Sequence, residues 1–67
     1  MTIGQAIKKA RLDKGYSQYK LSIKSGISSQ NISYWENEIS FPTIINLIPI
    51  ADALGVTLDE LVGRTVK

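Results

Sequence analysis

Ser17-Gln18-Tyr19-Lys20-Leu21-Ser22-Ile23-Lys24-Ser25-Gly26-Ile27-Ser28-Ser29-Gln30-Asn31-Ile32-Ser33-Tyr34-Trp35-Glu36-Asn37 is the stretch whose reading decides the fold. Ser17 can cap a first short helix, and Gly26 can adopt the left-handed conformation that ends it. Ser28 can then cap a second helix only two residues later. At about 100° per residue the second helix gathers Ile32 and Trp35 on one side and spreads Ser29, Gln30, Ser33 and Tyr34 over the other. One side packs, and the other is left for contact.

Two short helices joined by a glycine turn make a helix-turn-helix, in which the first helix crosses a nucleic-acid backbone and the second lies in the major groove. The reading helix is expected over about 28–36, within a motif spanning 17–37. Its free side carries hydroxyls, an amide and a phenol, groups that donate and accept hydrogen bonds without charge. Gln30 is the sharpest of these, because a glutamine amide matches the N7 and N6 of adenine in a bidentate pair. Gln18, the first residue after its cap, meets exposed N–H groups and the positive end of a helix dipole, where a phosphate oxygen is favoured.

Outward from this stretch, Ile3, Ala6, Ile7 and Ala10 recur at helical spacing, with Thr2 as cap and Gly15 as terminator. Leu12 falls off that stripe and is expected at the surface. Arg11 lies on its edge, where a charge needs an acidic partner. Glu36, the one acid within 17–37, is the candidate, and the two are expected as a structural salt bridge. Tyr16 precedes the Ser17 cap and can staple to Leu21, while Leu21 and Ile27 face the core. Beyond a loop at 38–42, Thr43 caps a closing helix over 43–55 with Ile44, Leu47, Ile48, Ala51 and Leu54 as its apolar side and Gly55 as its end. Pro49 interrupts it, predicting either a kink or a late start near Pro49. Thr57 and Glu60 form a capping box for a last short helix over 57–62, and Gly63 to Lys67 should fray.

The 67 residues (1–67) are expected to form a single all-α domain, near the lower size limit for an unstapled core. There is no Cys and no His, which excludes disulfides, thiolate chemistry and a zinc finger. No metal or cofactor is expected. Asp59 and Glu60, adjacent on one helix, point apart, so the chain is read as no enzyme. No apolar run approaches the roughly 18–20 residues that span a bilayer, and residues 1–5 lack the regions of a signal peptide. A soluble, cytoplasmic protein without membrane contact is expected. Net charge is +2, unevenly placed: residues 1–36 carry six Lys or Arg against Asp13 and Glu36, and residues 37–67 carry two against four acids. The basic half contains the helix-turn-helix, so a polyanion partner is expected, held with strong salt dependence.

These marks together resemble one family. Ile3-Gly4 with Ile7 and Arg11, Gly15-Tyr16-Ser17-Gln18, Leu21, Ser25-Gly26-Ile27-Ser28, Ile32-Ser33, Trp35-Glu36-Asn37, Pro42-Thr43, Ile50 to Val56 and Leu58 to Leu61 are similar to Cro/C1-type helix-turn-helix domains, the xenobiotic-response-element family, over Ile3 to Val62. The resemblance implies a compact five-helix, lambda-repressor-like domain that binds double-stranded operator DNA, commonly an inverted repeat, as a homodimer and regulates transcription, as a repressor in the first instance. On it, Ser28, Ser29, Gln30, Ser33 and Tyr34 become the candidate base-reading residues. Ser17, Gln18, Lys20 and Asn37 become the phosphate contacts, Gln18 also bracing the reading helix. Arg11 and Glu36 match the family's internal salt bridge.

The chain departs from the family pattern at Ser29, often Arg, at Glu38-Ile39-Ser40, often Gly with basic residues, and at Pro49. Ile39, Ile45, Ile48 and Val62 exceed what a small core needs and are the candidate dimer face. The alternative reading is a protein-interaction module of the same fold, an antitoxin or anti-repressor with weak or no DNA binding, favoured by the low charge and the acidic loop.

Overall fold

Each helix begins at a side chain able to replace the hydrogen bonds that a helix start leaves open. The computed structural model describes residues 2–62; the expected fraying of Gly63 to Lys67 lies outside them. Five helices follow in order: α1 (Ile3–Asp13), α2 (Gln18–Ser25), α3 (Ser29–Glu36), α4 (Ile44–Leu54) and α5 (Leu58–Val62). Thr2, Ser17, Ser28 and Thr43 accept from the amides of Gln5, Lys20, Asn31 and Asn46. Thr2 and Gln5 also close a reciprocal capping box, as do Thr57 and Glu60 at α5. Gly26 ends α2 at φ 75°, a left-handed conformation that costs glycine least.

The helices enclose one core of Ala6, Ile7, Leu21, Ile32, Trp35, Leu47, Ile50, Ala51, Leu54 and Leu61. Helix α1 packs on α3, α4 and α5, while α2 packs on α3 and α4. Tyr16 lies partly buried against the core that contains Leu21, and Leu12 is exposed.

Helix α4 corrects the sequence reading in its apolar register. Ile44, on the apolar side expected from the spacing, is exposed, as is Ile48, which the sequence places both on that side and on the candidate dimer face, while Ile50 is fully buried beside Leu47, Ala51 and Leu54. The stripe that meets α2 and α5 runs through 47, 50, 51 and 54; Ile44 stands in the first turn, and Ile48 stands to one side of the stripe. Nor does Pro49 delay the helix, which starts directly after Thr43 and runs through it. The carbonyl that Pro49 cannot serve belongs to Ile45, a residue 80% exposed, where water can take the bond.

Two contacts fix the other helices relative to α3. Gly4 of α1 approaches the α3 backbone so closely that a Cβ there would stand 2.0 Å from the Trp35 carbonyl oxygen. Arg11 of α1 meets Glu36 of α3 in a two-point pair, Nε to Oε2 at 2.7 Å and a terminal nitrogen to Oε1 at 3.0 Å. Its remaining terminal nitrogen donates to the Tyr16 carbonyl at 2.8 Å, and the Gln18 amide donates to Glu36 Oε1 at 3.1 Å. Both charged side chains are buried, and among the described residues no buried side-chain nitrogen or oxygen lacks a partner. Such a pair is costly to break singly, because one charge then stays behind in a poor solvent for it.

Gly4→Ala should force α1 off α3 at a cost of about 3 kcal/mol or more, seen as a thermal midpoint lowered by roughly 10 °C or more in a domain of this size. Arg11→Ala should lose about 3–5 kcal/mol in a urea titration, whereas Arg11→Met combined with Glu36→Leu should recover much of that loss. An unchanged midpoint for Arg11→Ala would show that the pair contributes nothing to folding.

Candidate nucleic-acid interface

Helix α3 is anchored from one side and open on the other. Ile32 and Trp35 sink into the core and Glu36 into the Arg11 pair, while Ser29, Gln30, Asn31 and Tyr34 are exposed and Ser33 is half-buried. Ser28, Ser29, Gln30, Ser33 and Tyr34 therefore start from one short helix and its cap. Ser28 accepts the Asn31 amide at 3.2 Å and keeps its O–H donor and a second lone pair for other partners. Asn31 is an exposed amide that the sequence reading omitted; its place one residue beyond Gln30 was the available signal.

The open face is already linked by hydrogen bonds along the helix axis. Gln30 Nε2 donates to the Tyr34 hydroxyl at 2.7 Å, and Asn37 Nδ2 donates to Ser33 Oγ at 3.3 Å. Both pairs are four residues apart, the spacing at which helical side chains stand one above the other.

At the start of α2, Ser17 accepts from the Lys20 amide at 3.0 Å, and the Lys20 side chain is exposed. Neither α2 nor α3 carries an acidic residue in its own first turn, so the partial positive charge of those ends favours an anion there. Gln18 gives one N–H to Glu36 and keeps a second N–H and a carbonyl oxygen for other partners. Asn37 closes α3, and the following residue, Glu38, adopts φ 61°. The Ile39 amide then bonds back to the Tyr34 carbonyl at 2.9 Å, the helix ending usually built on glycine.

Beyond that turn several large apolar side chains are exposed. Ile39, Phe41, Ile44 and Ile45 each expose more than half their area, and Ile48 exposes 47%. Val62 does not join them: it is partly buried against the core on α5, which lies over α1 and α4. Of the residues expected for a dimer face, Ile39, Ile45 and Ile48 are exposed and Val62 is partly buried; Phe41 and Ile44 are exposed as well. Phe41 lies in a loop without periodicity, and the spacing of Ile44 puts it on the apolar side of the closing helix. Among the described residues there is no cluster of groups able to hold a metal ion, and no helix long and apolar enough to cross a membrane.

Comparison with known proteins agrees with this geometry. The helix-turn-helix family HTH_3 matches residues 7–61. The chain is 38% identical over 63 residues to the HTH-type transcriptional regulator y4dJ of Sinorhizobium fredii, covering 94% of this chain and 82% of that protein. It is 34% identical over 64 residues to the cryptic phage CTXphi transcriptional repressor RstR of Vibrio cholerae, covering 96% of this chain and 57% of RstR. It likewise spans half of the Bacillus subtilis regulator ImmR, at 30% identity. Among solved structures, the P22 c2 repressor in complex with a synthetic operator superposes with a TM-score of 0.88 at 28% identity, over 97% of this chain and 98% of that one. The restriction-modification controller protein C.AhdI of Aeromonas hydrophila gives 0.84 at 29% identity, over 88% and 89%. These relatives are regulators and repressors, not enzymes. Capped helices, glycine turn, buried Arg11–Glu36 pair and sequence similarity agree: the chain belongs to the helix-turn-helix family, as a Cro/C1-type DNA-binding domain of transcriptional regulators.

Proposed function

We propose that the domain binds double-stranded operator DNA in a sequence-specific way, with α3 in the major groove, and represses transcription as a homodimer. The observation that carries this reading is the open face of α3, where every exposed side chain is neutral and able to donate or accept a hydrogen bond. Ser28, Ser29, Gln30, Ser33 and Tyr34 are assigned to base edges. Ser17, Gln18, Lys20 and Asn37 are assigned to phosphates, where the acid-free starts of α2 and α3 add their dipoles. The P22 c2 repressor, whose structure holds a synthetic operator, supports the arrangement, and the repressor RstR supports the role.

The homodimer reading rests on the apolar surface of Ile39, Phe41, Ile44, Ile45 and Ile48. The same surface, with Glu38 beside it, favours a second reading in which the domain docks on another protein and contacts DNA weakly.

Selection of duplexes from a randomised pool at low salt should enrich an inverted repeat with half-sites about one helical turn apart. Affinity for the selected site should fall steeply as salt rises, whereas an apolar protein interface would be nearly indifferent to it. Gln30→Ala should relax the preference at one base pair per half-site by about 1–3 kcal/mol while leaving non-specific affinity intact. Ile45→Glu should move the free protein toward monomer in sedimentation. A folded chain that enriches no duplex would direct the search to a protein partner.

A further inference from the structure

Gln30 and Tyr34 have so far been counted as two readers, but their mutual hydrogen bond makes them one. A primary amide has two N–H donors and one carbonyl oxygen that accepts. In this structure one donor of Gln30 goes to the Tyr34 hydroxyl at 2.7 Å, which leaves one N–H and the oxygen available to another partner. Tyr34 is itself only about a third exposed, and its ring has fewer rotatable bonds than the glutamine side chain. The phenol is thus an anchored acceptor for the longer, freer glutamine.

The two purines ask for different things in the major groove. Adenine presents N7 as acceptor and its N6 amino group as donor, so it needs one donor and one acceptor from the protein. Guanine presents N7 and O6, both acceptors, and is satisfied by two donors. An unrestrained glutamine can turn both N–H groups toward guanine. Gln30, with one of them already committed, can complete only the adenine pair.

We infer that Tyr34 is a positioning residue for Gln30: by occupying one amide hydrogen it makes Gln30 an adenine reader and bars guanine. Holding the side chain in place before contact also reduces the rotamer freedom lost on binding. The inference rests on the DNA-binding reading above and adds to it the base class and the residue that selects it.

The test uses the full chain and the duplex it selects from a randomised pool. Each A·T pair of a half-site is replaced in turn by G·C. At the position sensitive to Gln30→Ala, the adenine is also replaced by 7-deazaadenine, which lacks the N7 acceptor, and by purine, which lacks the N6 donor. The unaltered protein should discriminate against G·C there by about tenfold, within the range of one bidentate contact, and both base analogues should weaken binding. Tyr34→Phe keeps the ring and removes the hydroxyl. It should cut the discrimination against G·C to about threefold or less at that position alone, with the thermal midpoint unchanged, and it should have no further effect there in a Gln30→Ala background.

The inference is overturned if Tyr34→Phe keeps the full preference, weakens all duplexes equally, or still acts at that position when Gln30 is absent. It is overturned equally if the Gln30-dependent base is not adenine. Enrichment of no duplex by the folded chain instead removes the DNA-binding reading and this inference with it.

Discussion

The carboxylate of Glu36 is the point on which three helices agree. It sits at the end of α3, receives two N–H groups from Arg11 of α1 and one from Gln18 at the start of α2, while the spare nitrogen of Arg11 holds the turn between α1 and α2 through the Tyr16 carbonyl. Hydrophobic burial alone would allow α3 to slide or rotate by small amounts against its neighbours, since it is non-directional. A planar guanidinium on a planar carboxylate is not so tolerant, and its partners also have directions. The network thus converts a packed bundle into one orientation of α3. Desolvating two charges makes it an expensive device for stability and a sound one for orientation.

Gly4 does for distance what this network does for angle. With no side chain at that position, α1 lies directly on the backbone of Trp35, and the indole can fill the core beneath. A domain of this size has few core residues, so losing even one helix–helix contact removes a large share of what holds it together.

Much of this fold was legible in the sequence because its punctuation is chemical. Ser17, Ser28 and Thr43 each begin a helix for a reason that a sequence displays, and Gly26 ends one for a reason equally visible. Arg11 on the edge of an apolar stripe required an acid, and Glu36 meets it at 2.7 Å. Helix α4 was less legible because Ile44, Ile45, Leu47, Ile48 and Ile50 leave almost no polar side against which a buried one could be recognised. The neighbours chose Ile50 over Ile44 and Ile48, and that choice is tertiary. The clash that reserves position 4 for glycine is likewise set by a backbone 31 residues away and leaves no local mark. On the open face of α3, the spacing of Gln30 and Tyr34 made them neighbours in principle, but only coordinates showed which donor was taken.

Glu38 carries a consequence of a different kind. Its backbone adopts φ 61°, a conformation that favours glycine and tolerates asparagine, and it follows directly on the residue that closes α3. Geometry therefore gains little from a glutamate there, and a phosphate-facing surface gains nothing. A position so weakly tied to its present residue is open to change, and on the proposed arrangement each change of charge there would raise or lower affinity for every sequence alike. Strength of binding could then drift or be selected at the turn while the choice of sequence stays with α3, so that one regulator could move between tight and loose control without acquiring a new operator.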